Sequence, residues 1–548
     1  MFFSYPCLLL LTLSIGNSAS LEITKLGTYD GSQAYDVSAA EIIAFDKRSG
    51  LLLVTNANVS VVDVISIADP STPTLVKSLN STGLSPNSVA VYDGLAAVAV
   101  EAPEKTNNGS VAFYDMTIDS GTYLGSVTVG ALPDMITFTH DGKKVVVACE
   151  GEPNDTYDED PEGAVVVIDL AGGYSTDMHV AFINFQEFNG MEDMLREQGV
   201  RIFGPNASAS QDFEPEYISI SDDSKIAVVT LQENNAFARI NLETNTIESI
   251  VPLGYKDHSL DINKFDASNK DGGINITTWP TLGMYQPDGV TGFIICGKQY
   301  YAVANEGDSR DYDGYSEEER VKDLILSNEL LSYSDNIQGE QFLGRLKTTT
   351  VNGDADNDGV FETIYSYGAR SFSIYNNDLN MIFDSGSMLE EITAEAIPDG
   401  FNSNHKDDSM DSRSDDRGPE PNSVEYAKID GHNYLFVLLE RVSGIAVFQI
   451  DDPSSPTFVE YFHNRDFEGV AADLTAGDLG PESAVFISED ESPTGEALLA
   501  VANEVSGTTT IYSINGDSGD EDGIDCPKKK SGKKKTKKSP KTKKSPKN

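Results

Sequence analysis

One short pattern recurs seven times along this chain, and such a repeat limits the possible folds more than any other feature. Each copy opens on a proline or small residue followed by an acid or amide. A short β-rich strand follows, then a turn and a second apolar strand that again ends in an acid or amide. The openings are Ala40-Glu41, Pro86-Asn87, Pro133-Asp134, Pro215-Glu216, Pro287-Asp288, Pro421-Asn422 and Pro481-Glu482. The matching second strands close at Asn56, Glu101, Glu150, Glu233, Glu306, Glu440 and Glu504. Asp93-Gly94, Asp141-Gly142 and Asp430-Gly431 sit between β-branched runs, where a primed hairpin turn needs positive φ. Third strands follow, at Ala164 to Ile168 and Ile445 to Ile450 for example, and then turns such as Asp69-Pro70 and Asp452-Pro453 before a fourth.

Four-stranded antiparallel units spaced near 45 residues predict an all-β chain, a seven-bladed β-propeller with short helical insertions. The last copy runs out of sequence after Ile514, so the strand Glu22 to Thr28 is expected to supply its outer strand and close the ring. The competing reading is a pair of β-sandwiches, which leaves the repeated strand-end acids without a cause. Longer intervals read as insertions at about 184–212, 309–365 and 384–420. Helices are expected at Met191 to Gln198 and Ser316 to Leu331, loop over 384–420, and outer strands of the fifth unit at Phe361 to Tyr367 and Ser371 to Tyr375.

The two ends differ from the body. Residues 1–20 carry an apolar run, Leu8 to Leu13, followed by small residues up to Ser20, the pattern of a secretory signal too short to span a membrane. The body from 21 to 516 is therefore read as secreted and extracellular, without a transmembrane anchor. Six Asn-x-Ser/Thr acceptors, Asn58, Asn80, Asn108, Asn154, Asn206 and Asn275, fit a glycoprotein. Cys7 leaves with the signal. Cys149, Cys296 and Cys526 remain, and the odd number leaves their pairing open. Residues 517–548 begin acidic and end in a lysine-rich run, with no core to fold around.

Of the 39 basic residues, twelve lie in the last 21 positions, whereas all 88 acids precede them. So acidic a body repels nucleic acid and gathers cations. The lysine run suits an anionic surface, a polyanion, a mineral or the acidic body itself.

In a propeller the repeat sets equivalent positions around one channel. Glu41, Asp134, Glu216, Asp288 and Glu482, with Asn87 and Asn422, would form one ring. Glu150, Glu233, Glu306, Glu440 and Glu504, with Asn56 and Glu101, would form another. Carboxylates so placed need a cation to offset their repulsion, and oxygen-only ligand sets favour Ca2+. Asp308 follows Glu306 in a second acid-rich loop. Asp354, Asp356 and Asp358 alternate ahead of Gly359, as in the first half of a calcium loop, although loop position twelve is Tyr365 rather than Glu. Arg310, Arg413 and Arg417 either pair with these acids or hold an anion. Nucleophile elbows, zinc-type His pairs and phosphate loops are absent, so catalytic residues are not assigned.

Four segments carry a family resemblance: Asn305-Glu306-Gly307-Asp308-Ser309-Arg310-Asp311-Tyr312, Tyr367-Gly368-Ala369-Arg370-Ser371-Phe372-Ser373-Ile374, Asn402-Ser403-Asn404-His405 and Gly418-Pro419-Glu420-Pro421. In these the chain resembles the choice-of-anchor propeller family and its animal relatives, the mesenchyme-specific cell-surface glycoproteins of skeleton-forming cells. The resemblance implies an extracellular propeller, often acidic and glycosylated, associated in animals with calcified tissue, and sometimes labelled alkaline phosphatase-like. It brings no established catalytic residues. The combined expectation is a secreted calcium-binding matrix or surface glycoprotein involved in biomineralisation. The rival expectations are a calcium-dependent secreted phosphoesterase and a protein-binding propeller.

Overall fold

The computed structural model describes residues 21–516 apart from 32–33, 82–83, 176 and 407–409. The segment expected to be a secretory signal, residues 517–548 with Cys526, and Asp407-Asp408 lie outside the described residues. The chain is all-β with a few short helices. Repetition of the sequence unit produces seven four-stranded antiparallel sheets. Five of them take consecutive strands outward from the repeat's opening, the first for example as Ile43–Asp46, Leu51–Asn56, Val61–Ser66 and Thr74–Asn80, and the fifth sheet keeps this chain order with an insertion between its second and third strands. The seventh comprises Pro481–Ile487, Leu498–Asn503, Thr508–Gly516 and, as its outer strand, Leu21–Asp30, which pairs with Thr508–Gly516 from Leu21↔Gly516 to Asp30↔Thr508. The first strand of the described residues thus finishes the sheet that their last strands begin.

The second strand of each sheet is largely apolar because both of its faces are buried, as in Leu95–Val100 and in Val145 to Cys149 of Lys144–Cys149. The core is accordingly divided into interfaces between neighbouring sheets. Leu53, Val64, Val98 and Ala112 fill the one between the first and second sheets, and Val147, Val166, Ala99 and Phe113 the next. The seventh and first sheets enclose the same kind of cluster, in which Leu498, Ala500 and Ile511 meet Ile43, Leu52 and Ile65. Ser483 Oγ ties that interface at its inner edge, donating to the Glu41 carbonyl (2.7 Å) and accepting from the Ile43 N–H (3.0 Å).

Sequence and structure part company in the insertions. Of the helix expected over Ser316 to Leu331, only a 3-10 turn at Val321–Asp323 and one α-helical turn at Asn328–Leu331, capped by Ser327, form. Glu318–Arg320 is instead a strand paired with Lys347–Thr349, since backbone bonds from Glu317 to Arg310 and from Thr350 to Glu317 keep it extended. Phe361 to Tyr367 is not an outer strand of the fifth sheet. Ile364–Ser366 joins Thr281–Met284 in a separate small sheet, Ser371–Asn376 is the fifth sheet's third strand, and Met381–Asp384 is its outer strand. The stretch 384–420 is not all loop, because Met388–Ala396 is helical and buries Leu389 against the interface of the fifth and sixth sheets. The expected helix at Met191 to Gln198 is present as Glu192–Gln198, ending on Gly199 at φ +97°. The second insertion shares an apolar cluster with the connection that precedes the fifth sheet, in which Leu326, Leu343 and Ile364 meet Phe265 and Trp279.

If Leu21–Asp30 completes the seventh sheet, a chain starting at Gly31 leaves Thr508–Gly516 as a bare edge. Such a chain should unfold at lower temperature and self-associate, as read by differential scanning fluorimetry and light scattering. An unchanged Tm and a monomeric profile would contradict this assignment.

Candidate metal centre

Each repeat opens in a way that turns its polar side chain inward. Strand pairing slips between Pro86 and Ser88, between Pro133 and Ile136, between Pro421 and Ser423, and between Pro481 and Ser483. Asn87, Asp134, Asn422 and Glu482 therefore sit on β-bulges, which re-aim a side chain away from the regular alternation. Glu41, Glu216 and Asp288 hold the corresponding place in the other three sheets, each donating its N–H to the neighbouring second strand. All seven residues line one cavity of about 580 Å³.

Five of the strand-end residues, Glu150, Glu233, Glu306, Glu440 and Glu504, face the same space, and so does Asp308. The other two strand-end positions do not reach it. Asn56 is buried and donates to the Gly31 carbonyl (3.2 Å) and to Asp63 (3.1 Å), a purely structural placement. Glu101 lies outside the lining. Glu152, Asp311 and Glu318 also face the cavity, so fourteen carboxylates line it against three cations, Lys347, Arg417 and Arg441.

The cations gather on one wall and are already engaged there. Arg417 pairs with Asp308 and approaches Glu306 at 3.7 Å, Arg441 lies 3.1 Å from Glu440, and Lys347 lies 2.9 Å from Glu318. Elsewhere single donors hold single acids. Gln232 donates to Glu306 (2.8 Å), Asn422 to Glu482 (3.1 Å), Ser38 to Glu504 (2.5 Å), and Lys105 and Tyr312 to Glu152 (2.5 and 2.6 Å). Among the described residues, the carboxylates of Glu41, Asp134, Glu150, Glu216 and Asp288 accept no such bond. Glu233 Oε2 and the Tyr217 hydroxyl are likewise buried without a partner.

Burial and mutual repulsion then set the proton affinities. Burial and the Glu152 charge push Asp134 up to about 6, and burial with Asp308 raises Glu233 to about 7. Burial lifts Glu440 to about 7 against the pull of Arg441. Glu41, Glu150, Glu216, Asp288, Glu306 and Glu482 are all carried well above the usual carboxylate range, by burial first and neighbouring acids second. Such a set accepts either protons or cations, and its oxygen-only composition suits a hard divalent ion.

Glu420 behaves in the opposite way. Its oxygens converge with those of Glu306 and Glu440. Although burial works the other way, the guanidiniums of Arg413, Arg441 and Arg417, at 2.7, 3.1 and 3.4 Å, hold its carboxyl far below the ordinary range. It is neutralised by protein and has no need of a metal. Arg310 is equally internal, bound to Asp212 and Glu214.

Glu152 was legible only in retrospect. Glu150-Gly151-Glu152 and Glu306-Gly307-Asp308 repeat one device, a strand-end acid, a glycine and a second acid returned to the cavity. Gly151 and Gly307 have φ of +75° and +89°, and a Cβ on Gly307 would meet the Gly368 backbone at 2.0 Å. Glu318, Lys347 and Arg441 arrive from other elements and share no such signal.

Asp354, Asp356 and Asp358 are not brought to this cavity. They form a separate, largely exposed cluster whose ligand oxygens lie within 4.8 Å of one another. Asp354 accepts the N–H groups of Asp358 (3.1 Å) and Gly359 (2.8 Å), and φ values of +55° at Asn357 and +87° at Gly359 close the turn. Five acceptor asparagines, Asn58, Asn80, Asn108, Asn206 and Asn275, are exposed. Asn154 is half-buried, and its amide nitrogen donates to Asp158 (2.8 Å). All six lie at strand ends or connections on the cavity side of the sheets. Below the cavity, across Tyr217, a second chamber of about 600 Å³ has mixed polar and apolar walls, among them Phe45, Phe138, Phe486, His140 and Glu425. Among the described residues, no helix is long and apolar enough to cross a membrane.

An all-β chain of repeated sheets with one carboxylate-lined cavity is the class defined by fold and site. Residues 41–453 match the choice-of-anchor I domain, and the chain belongs to that family. It is 31% identical over 193 residues to Gigasin-3a of Magallana gigas, covering 33% of this chain and 68% of that one. It is 28% identical over 340 residues to the mesenchyme-specific cell surface glycoprotein of Strongylocentrotus purpuratus, covering 54% of this chain and 43% of that one, less than half of that relative's length. Among solved structures, hydrazine synthase of Kuenenia stuttgartiensis has a TM-score of 0.42 at 15% identity, covering 88% of this chain and 98% of that one. The Myceliophteria thermophila Cps50 (Swd1) β-propeller domain has a TM-score of 0.44 at 7% identity, covering 90% and 99%.

Without cations, raised carboxyl pKa values make folding favour the protonated forms. That stability is complete below the unfolded value near 4 and is lost as pH rises through about 6 to 7. In chelator, Tm should therefore fall between pH 5 and pH 8, and Glu233→Gln should raise Tm at pH 8 while leaving pH 5 unchanged. A flat or rising wild-type profile would count against the carboxylates being repulsive.

Proposed function

We propose that this is a secreted surface or matrix glycoprotein whose seven sheets are the blades of one closed propeller, holding calcium in its central carboxylate cavity. The observation that carries the reading is the set Glu216, Glu233 and Asp288, each at least nine-tenths buried, facing one cavity and lacking enough donors or cations to offset their charge. A divalent ion supplies the missing positive charge, and several flexible oxygen ligands around a wide space suit Ca2+ better than Mg2+, which demands compact octahedral geometry. The further ring members Glu41, Asp134, Glu150, Glu306, Glu440, Glu482 and Glu504, with Asp308, complete the pool of ligands. Asp354, Asp356 and Asp358 form a second, exposed calcium loop.

Ring closure is supported by the apolar interface between the seventh and first sheets. Placement at a surface or in a matrix is supported by family membership and by the similarity to the mesenchyme-specific cell surface glycoprotein of Strongylocentrotus purpuratus. A role in biomineralisation follows as the use to which such a calcium site and a lysine-rich arm would be put. The phosphoesterase reading is weaker, since Lys347, Arg417 and Arg441 on the cavity wall are each committed to carboxylates.

Calcium that binds the folded state alone stabilises it by about 2.7 kcal/mol at a hundred times Kd. Tm should rise on adding calcium at pH 7.5 and fall with chelator. Glu216→Gln with Glu233→Gln should remove most of that response, and Asp354→Asn with Asp356→Asn only a minor part. A full calcium response in the ring double variant would rule out the cavity as the main site.

A further inference from the structure

The residue after each ring position belongs to a second layer, beneath the carboxylates. In the fourth sheet the Glu216 N–H donates to the Thr230 carbonyl (3.1 Å) and the Tyr217 N–H to Thr230 Oγ1 (2.9 Å). The first sheet repeats this with Glu41 and Ile42 against Thr55. Two residues thus oppose one, and both side chains of each pair face the cavity. Ile42, Ser88, Met135 and Tyr217 line the carboxylate cavity and the chamber below it alike, so this layer is the partition between them. The fifth, sixth and seventh sheets bring only Gly289, Ser423 and Ser483 to the same position, which leaves Tyr217 as the largest side chain of the layer.

The Tyr217 hydroxyl is closed off from solvent and has no hydrogen-bond partner. Ser88 and Ser483 in the same layer, by contrast, accept the N–H groups of Ile136 (3.3 Å) and Ile43 (3.0 Å). Burial, and then the charges of Asp288, Glu482, Asp134 and Glu41 in that order, hold the phenol well above its ordinary value, so it remains a neutral hydroxyl. Asp134 and Asp288 stand on the sheets that flank the fourth. Glu41 and Glu482 stand on the first and seventh, the furthest from it in the order of sheets. A phenol that meets the field of acids on both sides and across the cavity reaches toward the middle of the ring. A hydroxyl buried there is costly to leave unpaired unless a ligand occupies the axis.

The ring has a matching need. Among the described residues, no three of Glu41, Asp134, Asp288 and Glu482 bring oxygens within 4.8 Å of one another. One ion is therefore offered at most two of these carboxylates at close range, whereas Ca2+ takes about 6–8 oxygens. A further acid would add repulsion, but a neutral hydroxyl adds a ligand without charge.

We propose that the Tyr217 hydroxyl is the floor ligand of a calcium ion held on the axis of the ring, among the carboxylates of Glu41, Asp134, Asp288 and Glu482, a placement that rests on the cavity being a calcium site. The phenol oxygen meets the ion from below, the acids meet it from the sides, and water fills the positions that face the open cavity.

The test compares the full chain with its Tyr217→Phe variant, which keeps the ring in the partition and removes only the oxygen. In calcium titrations by calorimetry, affinity should fall about tenfold, the worth of one interaction with a charged group. In chelator the variant should unfold at the same temperature as wild type or higher, since an unpaired buried hydroxyl is gone, and with calcium it should unfold lower. Tb3+ in place of calcium, excited through tyrosine, should lose most of its sensitised emission in Tyr217→Phe and keep it in Tyr312→Phe, whose ring lines the same cavity. Unchanged calcium affinity in Tyr217→Phe would mean that the hydroxyl meets only water, and would overturn the proposal while leaving the calcium cavity intact. An equal drop in Tm with and without calcium would make Tyr217 a packing residue and overturn it too. A wild-type protein that does not respond to calcium at all would remove the calcium cavity itself, and the floor ligand with it.

Discussion

Repulsion among carboxylates in one partly desolvated cavity is the constraint to which the rest of this molecule answers. An isolated acid moved out of water shifts its pKa and becomes neutral, but fourteen acids around one space cannot separate unless the strands carrying them splay apart. What resists that is the division of the core into interfaces between neighbouring sheets, filled by residues such as Val98, Phe113, Val147 and Leu438 that are wholly buried. The apolar area that stabilises the fold thus lies a few residues along the same strands from the charges that oppose it.

The arginines do a different task from the one their proximity to the acids suggests. Arg201 and Arg310 flank the Phe203 ring at 4.1 and 4.4 Å and bind Glu317 on one side, Asp212 and Glu214 on the other. Arg370 reaches the carbonyls of Asp266, Ser414 and Asp416 as well as Glu390. These guanidiniums pin the long insertions onto the cavity end of the sheets. Removing one partner of such a buried pair costs about 3–5 kcal/mol, because the other charge is left unpaired. Arg413, Arg417 and Arg441 around Glu420 extend the network to the cavity wall, so that one wall is neutralised by protein and the other is not.

Much of this was legible because repetition carries geometry. The acid or amide after each opening proline, and the acid closing each second strand, pointed to one ring, and eleven of the cavity's carboxylates, including Asp308, came from those positions or the loop beside them. The strand-end rule failed at Asn56, which turns to Asp63, and at Glu101, since position in the repeat fixes the backbone and leaves the rotamer free. Local pattern also misled in the insertions. Ser316 to Leu331 has helix-forming residues, yet pairing with Lys347–Thr349 holds its first part extended. Tertiary hydrogen bonds outweigh propensities worth a few tenths of a kcal/mol per residue.

The sequence by itself determined the all-β architecture, the sevenfold repeat, the excess of acids and the identity of most residues that face the cavity, because each is written in local period and composition. Only the tertiary structure decided which acids are compensated. Whether a carboxylate meets Arg417, Gln232 or no donor at all depends on side chains brought from insertions far away in the chain. That distribution separates Glu420, satisfied by three guanidiniums, from Glu216 and Asp288, which are left with charge to share.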